Sequence, residues 1–271
     1  MQARRAAVLG KPIAHSLSPV IHNAGYAAAG LAGWRYTAVE CAEAELAELV
    51  VALGPEWAGL SLTMPLKAVA LQVADQVAPV AAALGAANTL VPRPDGWYAE
   101  NTDAPGMVDV LRGAGLATVD AVAVLGAGGT ARAALAAAQH LGAARVVVYA
   151  RRPASVDALR PVAEHLGVRL AHGPFDRAAE AGRADLVIST VPKGVADGVD
   201  IAWHAGTVFF DAIYDPWPTP LAAAAQRAGC AVASGLDLLL AQGIRQFTLF
   251  TGVPAPVEAM RAALDQAAAG R

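Results

Sequence analysis

Apolar positions along the chain follow two periods. Short runs in which apolar residues alternate or follow without a break predict strands at residues 5–10 (RAAVLG), 34–40 (WRYTAVE) and 58–63 (AGLSLT). Runs with apolar residues three or four apart predict helices between them. The first, SPVIHNAGYAAAG, takes Ser18 as its N-cap, Pro19 at its first position and Gly30 as its stop. A second, AEAELAELVVALG, ends at Gly54, and Pro65 opens a third. ANTLV and WYAEN read as the arms of a hairpin, with Pro92, Pro94 and Gly96 between them.

Beyond Asp103 a helix runs to about Gly113. VDAVAVLGAGGTARAALAAAQHLG then predicts a buried strand, a glycine turn and a long helix. ARVVVYA, ADLVIST and GTVFFDAIY are near-continuous apolar runs, as parallel strands covered on both faces require. From Gly235 onward the pattern is that of two helices. Alternating strands and helices predict an α/β chain with mainly parallel sheets. At roughly 150 residues per domain, 271 residues predict about two domains. The expected division gives residues 1–102, joined by C-terminal helices 237–271, and residues 103–236.

Composition works mainly by exclusion. Hydrophobic residues at 56% and charged residues at 16% allow a large core and argue against disorder. A net charge of −3, without a run of like charges, points away from nucleic acid and from acidic membrane surfaces. The N-terminal apolar run, cut by Gly10 and Lys11, is too short for a signal peptide. No uninterrupted apolar stretch of about 18 residues occurs, so no membrane helix is expected. Cys41 and Cys230 lack metal-ligand spacing and read as buried thiols of a cytoplasmic protein. No His, Cys or Asp cluster has metal-ligand spacing, and no metal is expected.

Candidate chemistry begins at VLGAGGTARAAL. Gly126, Gly128 and Ala131 fit the G-x-G-x-x-G/A pattern between a strand and a helix. Together with Ala127, Gly129 and Thr130 they predict a pyrophosphate cradle of main-chain N–H groups at a helix N-terminus. The following strand ends in Ala150, Arg151 and Arg152, where an NAD site usually carries an acid. Two guanidinium groups and no carboxylate favour a ribose 2′-phosphate, hence NADP(H).

GLSLTMPLK raises a different point. Lysine occurs only at Lys11, Lys67 and Lys193, and every other positive side chain is arginine. An ammonium can stabilise an alkoxide and donate a proton, whereas a guanidinium is a poor proton donor near neutrality. His15 and His22 read as loop-holding residues, Met64 and Met107 as core filler, and Lys11 as solvated.

GKPIAHSLSPVIHN, GLSLTMPLK, GAANTLV, AENTDAPG, GAGGTARA and GLDLLLAQGIRQF occur in that order. The series resembles the shikimate dehydrogenase family over nearly the whole chain. The resemblance implies an N-terminal α/β substrate domain with a mainly parallel sheet, plus a Rossmann-type NADP-binding domain. It implies an oxidoreductase of aromatic amino acid and chorismate biosynthesis that reversibly reduces 3-dehydroshikimate to shikimate with NADPH. Lys67 and Asp103 match the family's catalytic pair. Ser16 and Ser18 match its carboxylate-binding serines, and Thr63, Asn88 and Asp103 its ring-hydroxyl ligands. Gln242 matches a glutamine that closes the site, with Gln246 a weaker candidate; Tyr214 and Gly235 match positions near the nicotinamide. Ser61 stands where most members have Asn, so a direct substrate contact is expected to become water-mediated. Ala150-Arg151-Arg152 and Ser189-Thr190-Val191 also depart from the usual motifs, and Phe250 replaces a common tryptophan. Reactants are expected to meet between the halves, with the chain crossing near 101–104 and 234–237. Quinate or aminoshikimate dehydrogenases of the same fold, and a non-catalytic NADP-binding regulator, are the alternatives. The resemblance leaves a homodimer open.

Overall fold

The computed structural model describes residues 3–270; residues 1–2 and 271, the ends of the first expected half, lie outside the described residues. The first strand–helix alternation gives β1 (Arg4–Gly10), α1 (Ser18–Ala28), β2 (Trp34–Glu40), α2 (Leu46–Val51) and β3 (Trp57–Leu62). Then come α3 (Ala70–Val73), β4 (Gln76–Val77), α4 (Pro79–Leu84), β5 (Thr89–Arg93) and β6 (Gly96–Glu100). The second alternation gives α5 (Asp103–Gly113), β7 (Ala121–Leu125), α6 (Gly129–His140), β8 (Arg145–Ala150), α7 (Pro153–Asp157) and α8 (Arg160–Leu166). It continues through β9 (Arg169–Pro174), a 3-10 run (Phe175–Arg183), β10 (Leu186–Ser189), β11 (Val208–Asp211), α9 (Pro220–Arg227) and β12 (Ala231–Ser234). Helices α10 (Gly235–Thr251) and α11 (Val257–Ala269) close the chain.

Two compact units result: residues to Thr102 with those from Leu239 on, and Asp103–Leu238. The first holds a six-stranded sheet in the order β2-β1-β3-β5-β6-β4. Pairs β1–β2, β1–β3 and β4–β6 are parallel, while β5 runs antiparallel to β3 and β6. The period-2 pattern of β3 sorts its faces. Leu60 and Leu62 join Leu46, Val50, Leu66, Ala81 and Leu90 in one core layer. Gly59 and Ser61 face the other way, toward Phe250 and Gln246 of α10. Thr89 pairs with Ser61 and shares that face.

The second unit carries six parallel strands in the order β12-β11-β10-β7-β8-β9. Counted within the unit this is 6-5-4-1-2-3, the doubly wound dinucleotide-binding order read from its far edge. Ala123, Leu125, Val187 and Phe209 pack with residues of the 3-10 run and α9. Helix α6 packs against α5 and α8.

Several boundaries differ from the sequence reading. Leu17, not Ser18, is the N-cap of α1. Ser16 Oγ accepts from the Ser18 N–H at 3.3 Å, so the capping oxygen comes from two residues upstream. The helix over residues 42–54 is shortened because Glu43–Glu45 close as a 3-10 turn. Pro65 opens no helix; residues 64–69 are turns, and regular helix is confined to Ala70–Val73. The Lys67 carbonyl, which Leu71 N–H would take in a helix, accepts from Ala87 N–H at 2.8 Å instead. Hairpin pairing extends to Arg93–Gly96, leaving a two-residue turn in place of the wider gap expected. Strand β11 stops at Asp211, whose Oδ1 accepts from Ile213 N–H at 3.1 Å and turns the chain. Met64 is 70% exposed rather than core, because it lies in the turns past β3; Met107 is fully buried. Lys11 is exposed and pairs with Glu40 at 3.5 Å. Among the described residues no helix is long and apolar enough to cross a membrane.

Candidate active site

In the first unit the motifs are tied together by main-chain bonds at the carboxyl end of β3. Thr63 N–H donates to Leu9 O at 2.9 Å, and Lys11 N–H to Met64 O at 3.1 Å, joining GKPIAHS to GLSLTMPLK. Leu62 N–H donates to Asn88 O at 2.7 Å and Ala87 N–H to Lys67 O at 2.8 Å, joining GLSLTMPLK to GAANTLV. Leu66 beside Lys67 is fully buried and anchors the turn, while Lys67 itself is half-buried. Thr63 and Ser16 are half-buried, and Ser18 is buried. The site residues therefore collect where an α/β sheet presents its strand ends.

Behind them runs a buried polar network. Tyr36 Oη donates to Ser61 Oγ at 2.6 Å, and Ser61 Oγ donates to Gln246 Oε1 at 2.7 Å. Gln246 Nε2 donates to Asn88 O at 3.1 Å and to Thr89 Oγ1 at 2.9 Å. Thr89 Oγ1 donates to Asn88 Oδ1 at 2.9 Å, and Thr102 N–H donates to the same oxygen at 2.8 Å. Asn88 Nδ2 reaches Thr102 Oγ1 at 2.9 Å and Gln242 Oε1 at 3.5 Å. Gln242 Nε2 donates to Leu239 O at 2.7 Å. Ser61, expected to reach substrate through a water, thus has its hydroxyl engaged by Tyr36 and Gln246.

His22 belongs to the same layer. Its ring stacks on Tyr36 at 4.1 Å and an interplanar angle of 5°. Both ring nitrogens are buried without a hydrogen-bond partner, so it holds its place by packing, not by the loop bonds expected. Burial, opposed by the neighbouring Gln246 side chain, pushes its pKa down from 6.5 to about 3. A depressed folded pKa means that its contribution is fully present above the unfolded value and is lost as pH falls. Between 6.5 and about 3 the unfolded imidazole binds a proton that the folded one does not. The loss is about 1.4 kcal/mol per pH unit. Urea midpoints measured across that window should fall more steeply for the native chain than for His22→Phe. Parallel curves would show that the buried ring does not set the dependence.

In the second unit the glycine turn leads from β7 into α6. Gly126 has φ +97°, a left-handed conformation, and a Cβ there would lie 2.8 Å from Thr190 Oγ1. That contact places the loop after β7 beside the loop after β10, the point where strand order reverses. Gly128 is the N-cap of α6, and a Cβ added at Gly128 or Gly129 would meet nothing within 4 Å. Open space before these main-chain groups fits a pyrophosphate. Ala127 and Thr130 complete the loop, and Ala131 is fully buried at the close approach of helix to strand. Arg151 and Arg152 follow the end of β8, both exposed, and no carboxylate stands at that strand end. Neither guanidinium has an ion-pair partner among the described residues. Gly235 lies against the loop after β11: a Cβ would sit 2.1 Å from Ala212 O and 3.0 Å from Tyr214 Cδ1. The structure thus brings Gly235 and Tyr214 together. Asp103 opens α5 directly after Thr102, half-buried, and belongs to the second unit, whereas Lys67 belongs to the first.

The sequence reading missed Tyr36, Thr89 and Thr102 and underweighted Gln246. Only Gln246 carried a local signal, one helical turn after Gln242 on the same face. A cavity of about 440 Å³ lies elsewhere, between β7–β9 and the 3-10 run, and contains none of the expected site residues. Among the described residues no group of three or more His, Cys, Asp or Glu could hold a metal.

Comparison with known proteins bears on this arrangement. The model of the shikimate dehydrogenase substrate binding domain matches residues 8–90. That of the shikimate 5'-dehydrogenase C-terminal domain matches residues 235–264. A shikimate dehydrogenase (NADP(+)) from Geobacter sp. (strain M21) is 37% identical over 97% of this chain and 95% of its own length. The crystal structure of Mycobacterium tuberculosis shikimate dehydrogenase is similar with a TM-score of 0.87 and 45% identity, over 97% of this chain and 99% of that one. A Thermus thermophilus shikimate 5-dehydrogenase, solved with NADP(H) and shikimate, gives a TM-score of 0.83 and 32% identity, over 97% and 99% of the two chains.

Proposed function

The chain belongs to the shikimate dehydrogenase family, and on that premise we propose that it reversibly reduces 3-dehydroshikimate to shikimate with NADPH. The observation that carries the reading is the pair of main-chain bonds that set Thr63, Lys67 and Asn88 around one strand end. That arrangement suits a small substrate rich in hydroxyl groups: neutral hydrogen bonders, one ammonium and little other charge. In this reading the first unit holds the substrate and the second the cofactor.

Ser16 and Ser18 take the substrate carboxylate beside the start of α1, where N–H groups favour an anion. Thr63, Asn88 and Gln242 take ring hydroxyls, with Ser61 in support. NADPH supplies the hydride when bound. Lys67 stabilises the developing alkoxide and gives it a proton, and Asp103 is its partner carboxylate. Gly126 through Ala131 hold the pyrophosphate, Arg151 and Arg152 the 2′-phosphate, and Tyr214 and Gly235 border the nicotinamide. The two cysteines are buried and unpaired, which suits the reducing cytoplasm where we place the protein.

Steady-state assays with shikimate and quinate, each with NADP+ and NAD+, test the proposal. The highest kcat/KM is expected for shikimate with NADP+. A preference for quinate would correct the substrate. NADP binding without turnover of either would make the chain a sensor and overturn the reading.

A further inference from the structure

The bonds that link Tyr36, Ser61, Gln246, Thr89 and Asn88 take their directions from groups that have no choice of role. Asn88 O can only accept, so Gln246 must turn Nε2 toward it and Oε1 toward Ser61. Ser61 then gives its one proton to Gln246, and Tyr36 must donate to Ser61. On the other side Thr102 N–H can only donate, so Asn88 turns Oδ1 toward it. Thr89 accepts from Gln246 and passes its own proton to that same Oδ1. With Oδ1 taken by these donors, Asn88 turns Nδ2, a donor, toward Thr102 Oγ1 at 2.9 Å and Gln242 Oε1 at 3.5 Å.

From this polarity we infer that Gln246 is a positioning residue for substrate recognition, acting through Thr89 and the Asn88 main chain to fix the Asn88 amide as a donor. It acts twice. It holds the Asn88 carbonyl and side chain, and it docks α10 on β3 and β5. Gln242, one turn earlier on the same helix face, is thereby set against Asn88. Gln246 is 1% exposed, so its bonding groups have no water to substitute for a missing partner. Ser61 is what makes this arrangement available. From the face of β3 opposite the leucine core its short side chain leaves room for the Gln246 amide, and its hydroxyl joins that amide to Tyr36. The ligand feature selected is an oxygen acceptor, a ring hydroxyl or carbonyl oxygen, that takes over the long 3.5 Å bond from Asn88 Nδ2 to Gln242 Oε1.

The inference rests on the proposed shikimate activity, and its test separates the two. Gln246→Met keeps the length of the side chain and removes its polar groups. With NADP+ in the intact enzyme it should raise KM for shikimate about tenfold, with kcat changed less than about twofold and KM for NADP+ unmoved. The ratio of kcat/KM for shikimate over quinate should fall as well, which a loss of stability alone would not produce. Thr89→Val breaks the relay by replacing one hydroxyl with a methyl group and should show the same split; it serves if Gln246→Met does not fold. The decisive measurement is the coupling with Asn88→Ala, read by calorimetric titration of shikimate. In that background Gln246→Met should weaken binding by less than about twofold. Equal losses in both backgrounds, or a loss confined to kcat, would overturn the role of Gln246 while leaving the activity standing. A native chain that turns over no shikimate would overturn the activity and this inference with it.

Discussion

Lys67→Ala is expected to lower kcat by about 10²- to 10⁴-fold, the range for removal of one general acid–base group. The expectation follows from what the reaction needs and from where Lys67 stands. Hydride addition leaves negative charge on the carbonyl oxygen, and a proton must reach it. The strand end that carries Lys67 offers hydroxyl and amide groups at Ser16, Ser18, Thr63 and Asn88, which bind a neutral oxygen adequately but carry no charge. The main-chain bond from Ala87 N–H to Lys67 O and the buried Leu66 fix the lysine Cα, so a smaller side chain cannot be compensated by a shift of the turn. Lys67→Arg keeps the positive charge and loses the proton donor; it should recover little of the activity. KM for NADP+ should stay within about twofold in both variants, because the expected cofactor groups lie in the other unit. Near-normal turnover by Lys67→Ala would remove Lys67 from the chemistry.

What could be read in the sequence, and what could not, divides along physical lines. Period and punctuation are local, so both α/β units, the glycine turn at Gly126 and the final two helices were legible. The strand order was only partly so. The second sheet is all parallel, as its near-continuous apolar runs require; the hairpin announced that β5 pairs antiparallel with β6, but nothing local announced that it also lies antiparallel beside β3. The failure at Pro65 is instructive. The sequence favours a helix there, but the carbonyl of Lys67 is taken by Ala87, whose approach depends on β5 lying beside β3. The same limit hid the network. Ser61 and Gln246 are 185 residues apart, and Tyr36 and Ser61 are 25 apart, so no motif joins them. Strand parity could have shown that Ser61 faces away from Leu60 and Leu62. It could not have named α10 as the helix it meets.

kcat/KM with NADP+ is expected to exceed that with NAD+ by at least about tenfold, and Arg151→Ala should abolish most of that difference. The second strand of a dinucleotide fold ends at the adenosine ribose, and here that strand is β8, ending at Ala150. A carboxylate at that point would accept hydrogen bonds from a free 2′-hydroxyl and repel a 2′-phosphate. None is present: Arg151 and Arg152 follow immediately, exposed and without an ion-pair partner among the described residues. NAD+ therefore loses its usual anchor while NADP+ gains two candidate cations. Arg152 is the N-cap of α7 and Arg151 sits at the bend between strand and helix, and both side chains are exposed. The planar guanidinium of Arg151 can bond the phosphate and stack on the adenine face. One charge-assisted hydrogen bond contributes roughly 1.5–3 kcal/mol, which corresponds to about 10- to 100-fold in discrimination. Exposure to water and salt argues for the lower end of that range. Arg151→Ala should then raise KM for NADP+ and leave the kinetics with NAD+ nearly unchanged, and added salt should narrow the native preference. Equal use of both cofactors by the native chain would show that these arginines do not read the ribose phosphate.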